Sequence, residues 1–137
     1  MRRKFNMEYA ACGLSQPSIM GLVSCRAAYE HGAEWLDELL VYLAENMALI
    51  SSFLQQRIPK IKLIEPEATY LAWLDCSALD LSQRELDETI THKAKLWIND
   101  GTRFGMGGEG FQRINVACPR EVLEEALLRL ESTFKLS

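Results

Sequence analysis

In the run Phe111 to Ala117 the side chains alternate, so an extended chain places Phe111, Arg113, Asn115 and Ala117 on one face and Gln112, Ile114 and Val116 on the other. An arginine and an asparagine then share a face beside an aromatic ring. A guanidinium is a planar fork that meets a carboxylate with two parallel hydrogen bonds, and a strand is a stiff mount for it. The chemistry suggested is capture of a carboxylate. A structural ion pair between Arg113 and an acid such as Glu109 accounts for the same residues, and spacing alone favours that plainer account. Five of the eight glycines fall between Gly101 and Gly110, and Gly105 to Gly110 even satisfies G-x-G-x-x-G. A dinucleotide fingerprint needs a helix directly after it, whereas an extended run follows, so the glycines indicate a loop that allows close backbone approach beside a site.

Other reactive side chains are sparse. Tyr70 and Trp73 offer an aromatic wall, although aromatic residues in a strand more often serve the core. His31 and His92 stand alone near helix ends. Cys12, Cys25, Cys76 and Cys118 are 13, 51 and 42 positions apart with no C-x-x-C pair. They read as free, mostly buried thiols in a reducing cytosol, and no metal site is expected. No Ser-His-Asp arrangement or close carboxylate pair stands out, so no catalytic residue is assigned. Nineteen acids against fifteen bases give a net charge of -4, and the only basic cluster is Arg2, Arg3 and Lys4. That disfavours nucleic acid, which requires a basic stripe. No apolar run approaches the roughly 20 residues that span a bilayer, and no signal pattern opens the chain, so a cytoplasmic protein without membrane partners is expected.

The elements that must hold Arg113 follow from periodicity. A chain of 137 residues suits about one domain by length. From Ala33 to Arg57, Leu36, Leu39, Leu40, Leu43, Met47, Ile50 and Leu54 recur at three and four, which lines a long helix. Gly32 separates it from an earlier helix near Ser18 to His31, and Pro59 ends it. Beyond Pro59 the spacing predicts strands over Lys60 to Ile64, Thr69 to Leu74, Leu96 to Ile98 and Phe111 to Ala117. The S-x-x-E pair Ser82 and Glu85 caps a helix predicted over Gln83 to Ala94. Pro119, followed by Val122, Leu123, Leu127, Leu130 and Phe134 at helical spacing, predicts a last helix. The expected fold is α+β: N-terminal helices including one long helix in residues 1–58, then a small β-β-α-β-β-α sheet-and-helix domain in residues 59–137.

Three blocks carry a resemblance. G-x-x-F-G-x-G-G-x-G-F-x-R-I-N-V-A-x-P-R from Gly101 to Arg120, the helical run Ala27 to Asn46, and E-A-T-Y-L-A-W-L-D from Glu67 to Asp75 occur in the order seen in pyridoxal-phosphate enzymes of the class I/II aminotransferase fold. More narrowly, the chain resembles the cystathionine β-lyase branch, the MalY and PatB type. The resemblance implies a small C-terminal domain that closes over pyridoxal 5'-phosphate held by a large domain. It implies that Arg113 binds the substrate α-carboxylate, with Tyr70 and Asn115 as further substrate contacts, and that the substrate is cystathionine or a cysteine S-conjugate. Such enzymes need a lysine, an acid at the pyridine nitrogen and a phosphate cup, which the family carries upstream of the position of Ala27. Lys4, Phe5 and Asn6 resemble the family's lysine motif only superficially. Met1 to Phe5 is therefore expected to be a connection to a large domain, and the chain to be a C-terminal fragment that binds no cofactor by itself and is inactive alone. Two readings remain open: part of a carbon-sulfur β-lyase, with a transaminase as the enzyme alternative, or a non-catalytic module that associates with itself or with a separate large-domain polypeptide.

Overall fold

The structure, a computed structural model, describes residues 1–13, 17–67 and 69–135. Two compact units divide within one long helix, Met1–Leu39 and Leu40–Ser137, a different partition from the change of texture at Pro59.

The first unit is helical. α1 spans Arg2–Ala11, so most of the expected connection at Met1 to Phe5 is already helix, and none of its residues is buried. α2 spans Ile19–His31, and the Ser18 hydroxyl caps it by accepting from the Gly21 amide at 3.1 Å. Gly32 then turns the chain into α3, Ala33–Arg57. A Cβ at Gly32 would lie 2.5 Å from the Ala28 carbonyl oxygen, so glycine is required for the tight helix-to-helix step. Phe5, Met7, Ile19, Met20, Leu22 and Val23 are all exposed.

The second unit holds the core. Past Leu40, α3 buries Leu43, Met47, Ile50 and Leu54, as the three-and-four spacing requires, while the expected positions Leu36 and Leu40 stay exposed. A four-stranded antiparallel sheet follows in the order β1-β2-β4-β3, with β1 Lys62–Ile64, β2 Leu71–Asp75, β3 Asn99–Asp100 and β4 Phe111–Asn115. Its closed face carries Ala72, Leu74, Gln112 and Ile114, all buried. α4, Gln83–Glu88, starts with the predicted reciprocal cap: the Glu85 amide donates to the Ser82 hydroxyl oxygen and the Ser82 amide donates to the Glu85 carboxylate at 2.9 Å. It continues through a wider π turn, Thr89–Lys93, closed by the Ala94 amide on the Thr89 carbonyl. α5, Arg120–Phe134, buries Leu123, Leu127, Leu130 and Phe134. Each such leucine contributes on the order of 1.5–3 kcal/mol through burial. Arg57 of α3 and Glu131 of α5 pair at 2.8 Å, and Asn46, fully buried on α3, donates to the Val116 carbonyl at 2.9 Å.

Two expectations are corrected. The third strand lies at Asn99–Asp100 and not at Leu96 to Ile98, because Lys95 takes a left-handed φ of 55° after the π turn and only Asn99 and Asp100 come into register with β4. Trp97 is accordingly 87% exposed. The cysteines are not mostly buried: Cys76 is, Cys118 is half-buried, and Cys12 and Cys25 are exposed because the helices that carry them bury nothing. Burial pushes the Cys76 thiol up to about 12.

A candidate carboxylate-binding site on the open face of the sheet

Register builds the site. Trp73 of β2 and Asn99 of β3 both lie opposite Arg113 of β4, so the three form a row across the sheet. Their face is the one opposite Ala72, Leu74 and Ile114, and it is only half covered. Phe111, two residues before Arg113, stacks on Trp73 with centroids 5.8 Å apart.

A short 3-10 turn, Gly101–Phe104, brings a further ring back over this row. Phe104 lies with its centroid 4.2 Å from the Arg113 guanidinium carbon and packs edge-to-face with Trp73, ring centroids 5.6 Å apart. The turn is capped by Asp100, whose carboxylate accepts from the Thr102 amide and the Thr102 hydroxyl, each at 2.8 Å. The neck of the loop closes where Gly101 meets Gly108. A Cβ at Gly101 would sit 2.2 Å from the Gly108 oxygen, and one at Gly108 would sit 2.1 Å from the Gly101 oxygen. No larger residue fits either position without opening the loop.

Arg113 itself donates from Nη2 to the Asn99 side-chain oxygen at 2.8 Å. Its Nε is buried and has no partner among the described residues. The ion pair with Glu109 does not form: among the described residues Arg113 makes no salt bridge, and Glu109 points into an exposed stretch of the loop. The guanidinium thus lies between a neutral amide and an aromatic face. A half-buried cation without a counter-ion is costly, and an anion that reaches its remaining N–H groups relieves that cost.

The other two predicted contacts are placed less favourably. Asn115 shares the face of Arg113, but it is exposed and its side-chain oxygen accepts from the Ala117 amide at 2.8 Å. Tyr70 sits in the turn before β2, 40% exposed, and joins the sheet only where its carbonyl accepts from the Val116 amide. Neither is hydrogen-bonded to Arg113 among the described residues. Sequence reasoning missed Asn99, which is, and Phe104, which lies over the guanidinium. Phe104 lies within the Gly101 to Arg120 string, but only the closed loop reveals what it covers. Asp75, on the same face, is held below the usual carboxylate range, first by the Ser77 hydroxyl, then by the Ser77 amide, with Lys62 helping.

The sequence and fold have clear counterparts. Cystathionine beta-lyase PatB of Bacillus subtilis is 39% identical over 131 residues, which is 96% of this chain and 34% of PatB. Protein MalY of Escherichia coli is 38% identical over 118 residues, 86% of this chain and 30% of MalY. The chain is a relative of PatB and MalY. Among solved structures, a PLP-bound protein of Clostridium difficile 630, assigned to the aminotransferases, superposes with a TM-score of 0.88 at 40% identity, covering 94% of this chain and 33% of its own. The chain therefore spans about a third of the length of the curated relatives it matches. Two curated aminotransferases, of Pyrococcus horikoshii and Thermococcus litoralis, match over 58% and 53% of it. No family model matches the chain.

Proposed function

We propose that this chain supplies the substrate-carboxylate site of a pyridoxal-phosphate-dependent carbon-sulfur β-lyase that acts on cystathionine or a related cysteine S-conjugate. The observation that carries the reading is Arg113, a half-buried guanidinium without an ion-pair partner among the described residues, held by Asn99 and Phe104 on a strand. An α-amino acid presents a planar carboxylate, which matches the fork and neutralises its charge. Fixing that carboxylate restricts rotation of the substrate, so its α-hydrogen and β-substituent are held in one orientation. Phe104, Trp73 and Phe111 exclude water from one side of the guanidinium, which strengthens the pairing. Tyr70 and Asn115, at the edges of this face, are proposed to contact the substrate more distantly.

Pyridoxal phosphate, when bound, supplies the electron sink that lets an amino acid lose its α-proton and β-substituent. The residues present suit the amino-acid end of that chemistry. In this reading the guanidinium serves the substrate carboxylate, and the cofactor is held by other residues.

The lyase is preferred to the transaminase because, among the curated relatives, cystathionine β-lyase PatB matches over 96% of the chain and the aminotransferases over 58% or less. Product analysis separates them in a pyridoxal-phosphate-loaded protein containing this sequence. A lyase releases pyruvate, ammonia and a thiol from L-cystathionine without any added 2-oxo acid. Turnover that strictly requires a 2-oxo acid and releases no thiol would establish the transaminase. A second reading, association through α1 and α2 with another copy or with a large-domain partner, rests on the exposed Phe5, Ile19, Met20, Leu22 and Val23.

A further inference from the structure

We propose that Gln83 is a positioning residue for Arg113, acting through the loop from Gly101 to Gly110; the proposal rests on the reading of Arg113 as a carboxylate-binding residue. Gln83 opens α4 and makes no hydrogen bond to Arg113 among the described residues, yet its amide clasps both ends of the loop that carries Phe104. Its nitrogen donates to Asp100 at 2.9 Å, at the start of the loop. Its oxygen accepts from the Gly110 amide at 2.7 Å, at the end. The same nitrogen also donates to Asp87 at 3.0 Å, one turn along α4, and Asp87 accepts from the buried Gln112 at 2.7 Å.

One side chain therefore joins α4, both ends of the loop and, through Asp87, the strand position next to Arg113. The geometry makes Gln83 suited to this and few residues able to replace it. A donor and an acceptor are needed on one planar group, because the loop offers a carboxylate at one end and an amide N–H at the other. Asp100 is bound by Thr102 as well, so the clasp fixes the turn that delivers Phe104 to the guanidinium. Without it the loop keeps the Asp100–Thr102 cap, the Gly101 and Gly108 neck and the Cys76 amide on the Gly110 carbonyl, but loses the side chain that joins its two ends, and Gly105 and Gly107, at φ of 122° and 91°, sit where glycine is freest to move. Phe104 would then sample positions away from Arg113, and the arginine would lose the surface that sets its plane.

Nitrogen-15 NMR on the full chain tests this with two variants. Gln83→Met keeps the length and removes every hydrogen bond; Gln83→Glu keeps the acceptor for Gly110 and removes both donated bonds. The observables are amide exchange across residues 101–110 and the Arg113 Nε–H resonance, which the ring current of Phe104 displaces and which Phe104→Leu resets. In Gln83→Met, exchange at Gly110 should quicken about tenfold, the scale for one lost hydrogen bond, and the Arg113 line should move toward its Phe104→Leu position while α5 stays protected. Gln83→Glu should move the Arg113 line in the same direction with Gly110 less affected. An unmoved Arg113 line, unchanged loop exchange, or loss of protection in α5 together with the loop would each overturn the proposal. Failure of the carboxylate reading appears elsewhere, in the kinetics of Arg113→Lys, and leaves these signals as they are.

Discussion

Replacing Arg113 by lysine retains the positive charge and removes the planar fork, which makes it the sharpest probe of the site. The structure sets the size of the effect. The guanidinium carbon lies over the Phe104 ring, 4.2 Å from its centroid, a cation-π contact worth roughly 0.5–2 kcal/mol, which an ammonium on a flexible stem recovers only in part. The bond from Nη2 to Asn99 and the second bond to a carboxylate are charge-assisted, each on the order of 1.5–3 kcal/mol. Lysine can satisfy one such partner but not both in a fixed plane. Substrate capture should weaken by about 2–4 kcal/mol, a loss of about thirtyfold to several hundredfold in kcat/KM. The assay is steady-state release of pyruvate from L-cystathionine by a pyridoxal-phosphate-loaded protein containing this sequence, with the thermal midpoint measured in parallel. The loss should fall mainly on KM, and the absorbance of the bound cofactor should not change, since in this reading other residues hold it. A kcat/KM within about threefold of the parent, equivalent to less than about 1 kcal/mol, would refute the carboxylate role. Arg113 would then be a structural cation stacked on Phe104.

Two further outcomes are expected. The Glu131 carboxyl is held below its ordinary value by Lys135 first and by Arg57 second, both of which it meets within 2.8 Å, so its contribution to stability is complete above about pH 4.3 and is lost as pH falls through the lower folded value. Glu131→Gln should therefore flatten the fall in urea midpoint on acidification, and an acid slope equal to the parent's would contradict this assignment. The exposed apolar side chains of α1 and α2 should cause reversible association, with the sedimentation coefficient rising with concentration and reverting on Met20→Glu with Val23→Glu; a species that stays monomeric at high concentration would count against it.

What the sequence disclosed and what it hid divide along a physical line. The α4 cap was legible because Ser82 and Glu85 satisfy each other's backbone across three residues, and the α5 face because leucines at three and four positions need only a helix to align them. The side of β4 that bears Arg113 was legible for the same reason, since alternation is a property of the strand alone. Asn99 was not, because its role depends on which residue of β4 lies opposite, and that register is settled by the whole sheet. Displacement of the third strand from Leu96 to Asn99 has the same origin: the apolar run reads as a strand, but the π turn and the left-handed Lys95 deliver the chain to the sheet three residues later. Asn46 shows the converse error, a polar residue within an apolar helix face that pattern reading passes over, although it ties α3 to the chain just beyond β4.

The glycine-rich loop joins both kinds of information. Composition singles out its glycines, and the expectation of close backbone approach is met where Gly101 and Gly108 abut with no room for a Cβ. Yet the consequence of that closure, a phenylalanine delivered onto an arginine and a glutamine of α4 spanning the loop's ends, requires residues 83, 100, 104, 110 and 113 to meet in space. A strand by itself gives Arg113 a direction. The loop gives it a plane, and a carboxylate clamp needs both, because two parallel hydrogen bonds fix a substrate only when the fork that makes them cannot turn.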